Sequence, residues 1–163
     1  MAVKQKIRRS KFAVFLNTAP AAESPTWALI GDGVSEMSIT YNPQTSEEVY
    51  INQNSGTTDV ESYKPTIAAP MTALKGDEVF TFVDGLRTRR AVLTDCVTEC
   101  LLVYLYRDSE SGTYEAERNA CAVQIDDFGG AGGEAAKLNF TLLLQGDAQQ
   151  GTFDPATKAF TAA

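Results

Sequence analysis

Cys96 and Cys100 are the first residues whose type and spacing suggest chemistry, because two thiolates at such a spacing supply half of a tetrahedral zinc site. On a helix they would meet. On a strand, at about 3.3 Å per residue, they lie on one face roughly 13 Å apart and share no ion. The surrounding CVTECLLVYLYR is rich in β-branched and aromatic residues, so it reads as a strand with buried free thiols. Gly31-Asp32-Gly33-Val34-Ser35-Glu36 opens like a dinucleotide-binding turn. It lacks the third glycine, and strand residues follow where a helix N-terminus would have to hold the phosphate. Gly129-Gly130-Ala131-Gly132-Gly133 has no Lys-Ser/Thr after it and is no P-loop. Asp126 and Asp127 beside glycines read either as a weak calcium site or as solvated turn carboxylates. Glu78 and Asp84, on one expected helix, make no acid–base pair. The chain has no histidine, which removes the commonest general base and the Ser-His-Asp and Cys-His arrangements. The expectation is a protein that is not an enzyme and uses no cofactor or metal.

The elements around these residues are mostly strands. Met37, Ile39 and Tyr41 alternate with Glu36, Ser38 and Thr40, the period of a half-buried strand that Asn42-Pro43 ends. Val49 and Ile51 against Glu48 and Tyr50 suggest a second short strand. From Asn52 to Met71 the composition turns to Asn, Ser, Thr and Pro, too long for an ordinary connection, so 42–75 reads as a long loop or projecting hairpin with a tip near Ser55-Gly56. One helix is expected after Asp77, with Val79, Phe82, Val83 and Leu86 on one face. Strands follow from Cys96 to Arg107 and from Tyr114 to Ile125, joined by a turn at Asp108 to Gly112, and then a flexible connection from Asp126 to Gly133. Leu138, Phe140, Leu142 and Leu144 alternate with Asn139 and Thr141, and residues 146–163 read as a turn and C-terminal tail. The sum is a mainly β chain, a two-sheet antiparallel β-sandwich with one flanking α-helix, in a single domain over 1–163.

Charge is divided along the chain. The net is −7, yet Lys4, Lys6, Arg8, Arg9 and Lys11 stand in the first twelve residues; without these five the remaining nine positives face 21 acids, a body of −12. Segments of opposite sign on one chain favour contact between copies, and an acidic body repels duplex DNA. The apolar stretch Phe12 to Leu16 is shorter than the roughly 7 to 15 residues of a secretory signal, so residues 1–16 read as a basic N-terminal arm feeding a strand. No apolar run approaches the roughly 20 residues that cross a bilayer. Three cysteines cannot all pair within one chain, which fits a reducing compartment.

Two glycine-punctuated segments carry a family resemblance: Trp27, Ile30, Gly31 and Gly33 with Tyr41 and Asn42 near the start, and Leu138 to Leu144 with Gly146, Gly151 and Phe153 near the end. With the polar stretch from Asn52 to Met71 and Gly76-Asp77 between them, the chain resembles the tail tube proteins of long, non-contractile-tailed (siphovirus) bacteriophages over about residues 24 to 160. The resemblance implies hexameric rings, an inner sheet joining neighbours into a ring barrel, and stacking into the tube through which the genome leaves. It implies assembly in the host cytoplasm and residence in the virion tail. The implied partners are further copies of the chain, the tape-measure, tail-tip and tail-terminator proteins, and double-stranded DNA passing without specific binding; a membrane is not among them.

On that reading the ring-to-ring contact is expected at Asn52, Asn54, Ser55, Thr57, Asp59, Glu61, Tyr63 and Lys64. The basic arm is expected to lie on an acidic neighbour, and Ser38, Thr40, Glu48, Asn139 and Thr141 are candidates for the lumen face. Two alternatives share the fold class: the tube of a contractile injection or type VI secretion-like machine, and a monomeric β-sandwich binding module. The module would need exposed aromatics to stack on a sugar, whereas Trp27, the lone tryptophan, sits among apolar residues.

Overall fold

The computed structural model describes residues 2–109 and 112–163. Strands β1 (Phe12–Asn17), β2 (Trp27–Leu29), β3 (Ser38–Thr40), β4 (Pro43–Glu48), β5 (Thr57–Tyr63) and β6 (Thr66–Thr72) precede helix α1 (Glu78–Thr88). Strands β7 (Val97–Asp108), β8 (Tyr114–Gly129), β9 (Lys137–Asp154) and β10 (Ala159–Ala162) follow it. The mainly β reading with one flanking helix holds: a large antiparallel sheet runs β2-β1-β7-β8-β9-β6-β3 with β10 on the side of β9, and β4 and β5 form a second sheet of their own. Within one chain the large sheet does not close into a barrel.

Period-2 patterning decides which face each strand buries. Ile67, Ala69 and Met71 of β6 and Leu138, Phe140 and Leu142 of β9 are buried, with smaller or polar residues between them. Across this core stand Val14 and Leu16 of β1 and Cys100 and Leu102 of β7, and Val79, Val83 and Leu86 of α1 pack against the same cluster. The run Cys100–Val103 is buried at every position because β7 serves two cores. Its alternate residues Leu101 and Val103 pack on the opposite face with Phe15, Trp27, Ala116 and Phe153. There the Phe15 and Phe153 rings approach to 4.7 Å between centroids. Asp77 caps α1, its Oδ2 accepting from the Phe80 N–H at 2.9 Å.

Several boundaries differ from the sequence reading. The polar stretch ends earlier than expected: Thr66–Thr72 is a core strand hydrogen-bonded to β9, so the hairpin occupies 43–63 and not 42–75. Its first strand is Pro43–Glu48, and Val49 and Ile51 lie beyond it. Pro43 is the first residue of this strand, a position where proline is tolerated. The Asp126 to Gly133 connection is shorter, because β8 continues to Gly129. The turn expected within 145–151 is a bulge inside β9, and residues 146–163 are the end of β9 plus β10 rather than a tail. The turn placed at Asp108 to Gly112 includes Glu110 and Ser111, which lie outside the described residues.

Gly151 explains how β10 fits. A Cβ there would collide with the Thr161 carbonyl and the Phe160 ring. Gly151→Ala is therefore expected to release β10, at roughly 1–3 kcal/mol for overpacking. Faster amide exchange at residues 159–162, with β6 still protected, is the measurement that checks it.

Candidate assembly surfaces

The residues whose chemistry the sequence raises each have a definite place in the fold. Cys96 ends a 3-10 turn at Leu93–Cys96, where its thiol donates to the Leu93 carbonyl at 3.2 Å, while Cys100 lies buried in β7. A hydrogen bond to Cys100, together with burial, pushes the Cys121 thiol far up and keeps it neutral. Asp84 pairs with Arg87 at 2.7 Å. Asp126 accepts from Gln124 and Thr141, and Asp127 from Asn139. Among the described residues no group of three or more metal-ligating side chains converges.

The hairpin β4–β5 is the most exposed paired element. Its strands run in register from Pro43↔Tyr63 to Glu48↔Thr57, with one irregularity at Gln44/Thr45, and neither is bonded to the main sheet. Asn42 turns the chain into it: its backbone is left-handed at φ 47°, which asparagine tolerates, and its Nδ2 donates to the Lys64 carbonyl at 3.0 Å. Tyr41 and Tyr63 meet edge-on at 6.1 Å beside this root. Of the expected contact residues, Asn52, Asn54 and Ser55 lie in the tip, Thr57, Asp59, Glu61 and Tyr63 on β5, and Lys64 at the root. The sequence reading places Val49 and Ile51 in a short strand; they lie instead in the hairpin tip, where Val49 and Tyr50 are exposed and Ile51 fully so. Glu47, Glu48, Asp59 and Glu61 give residues 43–63 four acids and no base.

The basic segment divides in two. Residues 2–8 belong to no helix or strand and are exposed, and they carry Lys4, Lys6 and Arg8. Arg9 and Lys11 belong to a 3-10 turn, and Arg9 is an anchor: its Nε and Nη2 donate to the Met37 carbonyl at 3.2 and 2.9 Å, and its guanidinium lies 5.1 Å over the Phe12 ring. Phe12–Leu16 is sheet, so the arm ends at Arg8 rather than at residue 16.

Of the five lumen candidates, four share one face of the main sheet. Ser38 pairs Ala68, which pairs Thr141; Thr40 pairs Thr66; and Asn139 pairs Pro70. The polar groups of Gln124, Asp126 and Asp127 extend this face across β8. Glu48 stands apart from it, at the end of β4 in the hairpin.

No family model matches this chain, and no curated protein matches it. Among solved structures the fold is similar to a chain in the tail of an empty GTA particle, determined with helical refinement and C6 symmetry. That similarity has a TM-score of 0.64 at 11% sequence identity and covers 96% of this chain and 100% of the other. A chain in the six-fold symmetrised baseplate of the anti-feeding prophage is similar at a TM-score of 0.49 and 14% identity, covering 92% of this chain and 97% of the other.

Proposed function

We propose that this protein is a structural protein of a phage-type tail, whose copies assemble into six-membered rings that stack as a tube. The observation that carries the reading is the fold similarity over 96% of the chain to a component of a C6-symmetric tail. The surfaces are consistent with it. A two-stranded sheet without further strands is marginal on its own, and this one bears an exposed apolar tip of the sort that marks an interaction site. A polar sheet face opposite the core, through Ser38, Thr40, Asn139 and Thr141 with the Asp126 and Asp127 carboxylates beside them, suits a wall around passing DNA, since carboxylates repel phosphate; Lys137 stands on the same face at the start of β9. The tube of a non-contractile phage tail is the form that the sequence resemblance favours, with the tape-measure, tail-tip and terminator proteins as further partners.

The binding-module alternative loses its best aromatic, because Trp27 is 2% exposed in the core. Native mass spectrometry of the purified protein tests the ring. Species at six copies and multiples of six are expected; dimers or tetramers as the sole assemblies would sink it.

A further inference from the structure

One opening in the body is unlike the others. Between Ala120↔Gln145 and Arg118↔Gln149, the β9 residues Gly146, Asp147 and Ala148 stand opposite Asn119 alone. This bulge draws β9 away from the ladder and opens a groove of about 780 Å³ toward the hairpin root. Its floor is apolar, with Ile39, Leu102 and Leu144, and its walls carry Glu61, Glu117 and Asp147 with no Lys or Arg among the lining residues. Asn119 lines it at 5% exposure, and its amide nitrogen has no hydrogen-bond partner. A buried donor left without an acceptor is costly, and an acceptor entering the groove would satisfy it.

A segment of matching chemistry is present in the same sequence. Ala2–Arg8, AVKQKIR, alternates Val3, Gln5 and Ile7 with Lys4, Lys6 and Arg8, the pattern of a strand with one apolar and one basic side. Val3 and Ile7 are 83% and 61% exposed, and among the described residues Val3 to Ile7 make no hydrogen bond to their own body.

We infer that the groove beside Asn119 receives the N-terminal arm of a second copy. Building on the self-assembly reading, this names the surface on which one copy holds the next. Ile7 and Val3 face the apolar floor, Lys4 and Lys6 meet Glu61 and Asp147, and an arm carbonyl accepts from Asn119 Nδ2. The contact is heterologous, arm to groove, so each copy has both halves free to continue a ring or a stack. Its long-range attraction weakens with salt.

Two single variants of the full chain, Ile7→Cys and Ala148→Cys, test this when mixed at a concentration where sedimentation shows association, followed by mild oxidation. Covalent dimers are expected at least tenfold above either variant alone and above Ile7→Cys mixed with Lys75→Cys. Adding Glu61→Lys and Asp147→Lys to the groove copy should remove them, and Lys4→Glu with Lys6→Glu in the arm copy should restore them. Association without cross-linking would overturn the docking site and leave self-assembly standing, while absence of association at every concentration, with and without preformed tail tips, would overturn both. A chain carrying both cysteines that closes its disulfide as a monomer would instead assign the groove to its own arm.

Discussion

Replacing residues 44–62 by a two-residue Gly-containing turn is expected to leave a folded monomer and abolish tubes. The hairpin contributes no residue to either buried cluster, and its strands are bonded only to each other. Pro43 and Tyr63 are directly paired, about 5 Å apart as cross-strand partners are, so a short turn bridges them without strain. The melting temperature should therefore stay within a few degrees of the parent. The boundaries matter, because a deletion extended to residue 71 would also remove Ile67, Ala69 and Met71 from the core and destroy the fold rather than the contact. Tubes of normal length from the 44–62 deletion would show that ring stacking uses another surface.

Phe140→Ala is expected to give the largest loss of stability. Phe140 is fully buried, pairs Ala69 on one side and Ile125 on the other, and sits in the cluster that joins β6, β9 and α1. Removing a buried phenylalanine costs about 3–5 kcal/mol through lost transfer energy and the cavity left behind. For a domain of this size each kcal/mol moves the melting temperature by about 2–4 °C, so a fall of roughly 6–20 °C is expected by calorimetry. A fall under 3 °C would mean that the core closes over the gap. Assembly by the surviving folded fraction should be unimpaired, which separates this variant from the hairpin deletion.

Periodicity carried most of the fold in the sequence, and it failed where the apolar side chains were small. Leu138 to Leu144 alternates strongly and reads directly as a strand, as does the long run within β7. Strand β6 is hard to read because two of its seven residues are alanines and one is proline; Ala69 is buried in the main cluster with Phe140 as its cross-strand partner. Strand β4 escaped because nothing in PQTSEE is apolar, and exposed pairing leaves no hydrophobic period to detect. The end of β9 looked like a turn because Gly146 and Gly151 punctuate it, but one glycine takes the left-handed backbone of the bulge and the other makes room for β10. Asp77 as helix cap was legible from the start, since capping chemistry is local.

The surfaces were less legible than the elements. Opposite charge on the arm and the body is plain in the sequence, but the role of Arg9 as an anchor depends on the Met37 carbonyl, 28 residues away. The groove beside Asn119 depends on a bulge that only the β8–β9 register reveals. Polarity alone groups Glu48 with the lumen candidates, whereas the chain path puts it at the end of β4 in the hairpin, apart from the other four.

Negative-stain electron microscopy of the purified protein across a concentration series, with and without preformed tail tips, tests the central claim most directly. The account predicts uniform hollow tubes or stacked six-fold rings that lengthen with concentration or grow from the tips. Monomers at every concentration, with no growth from added tips, would contradict it.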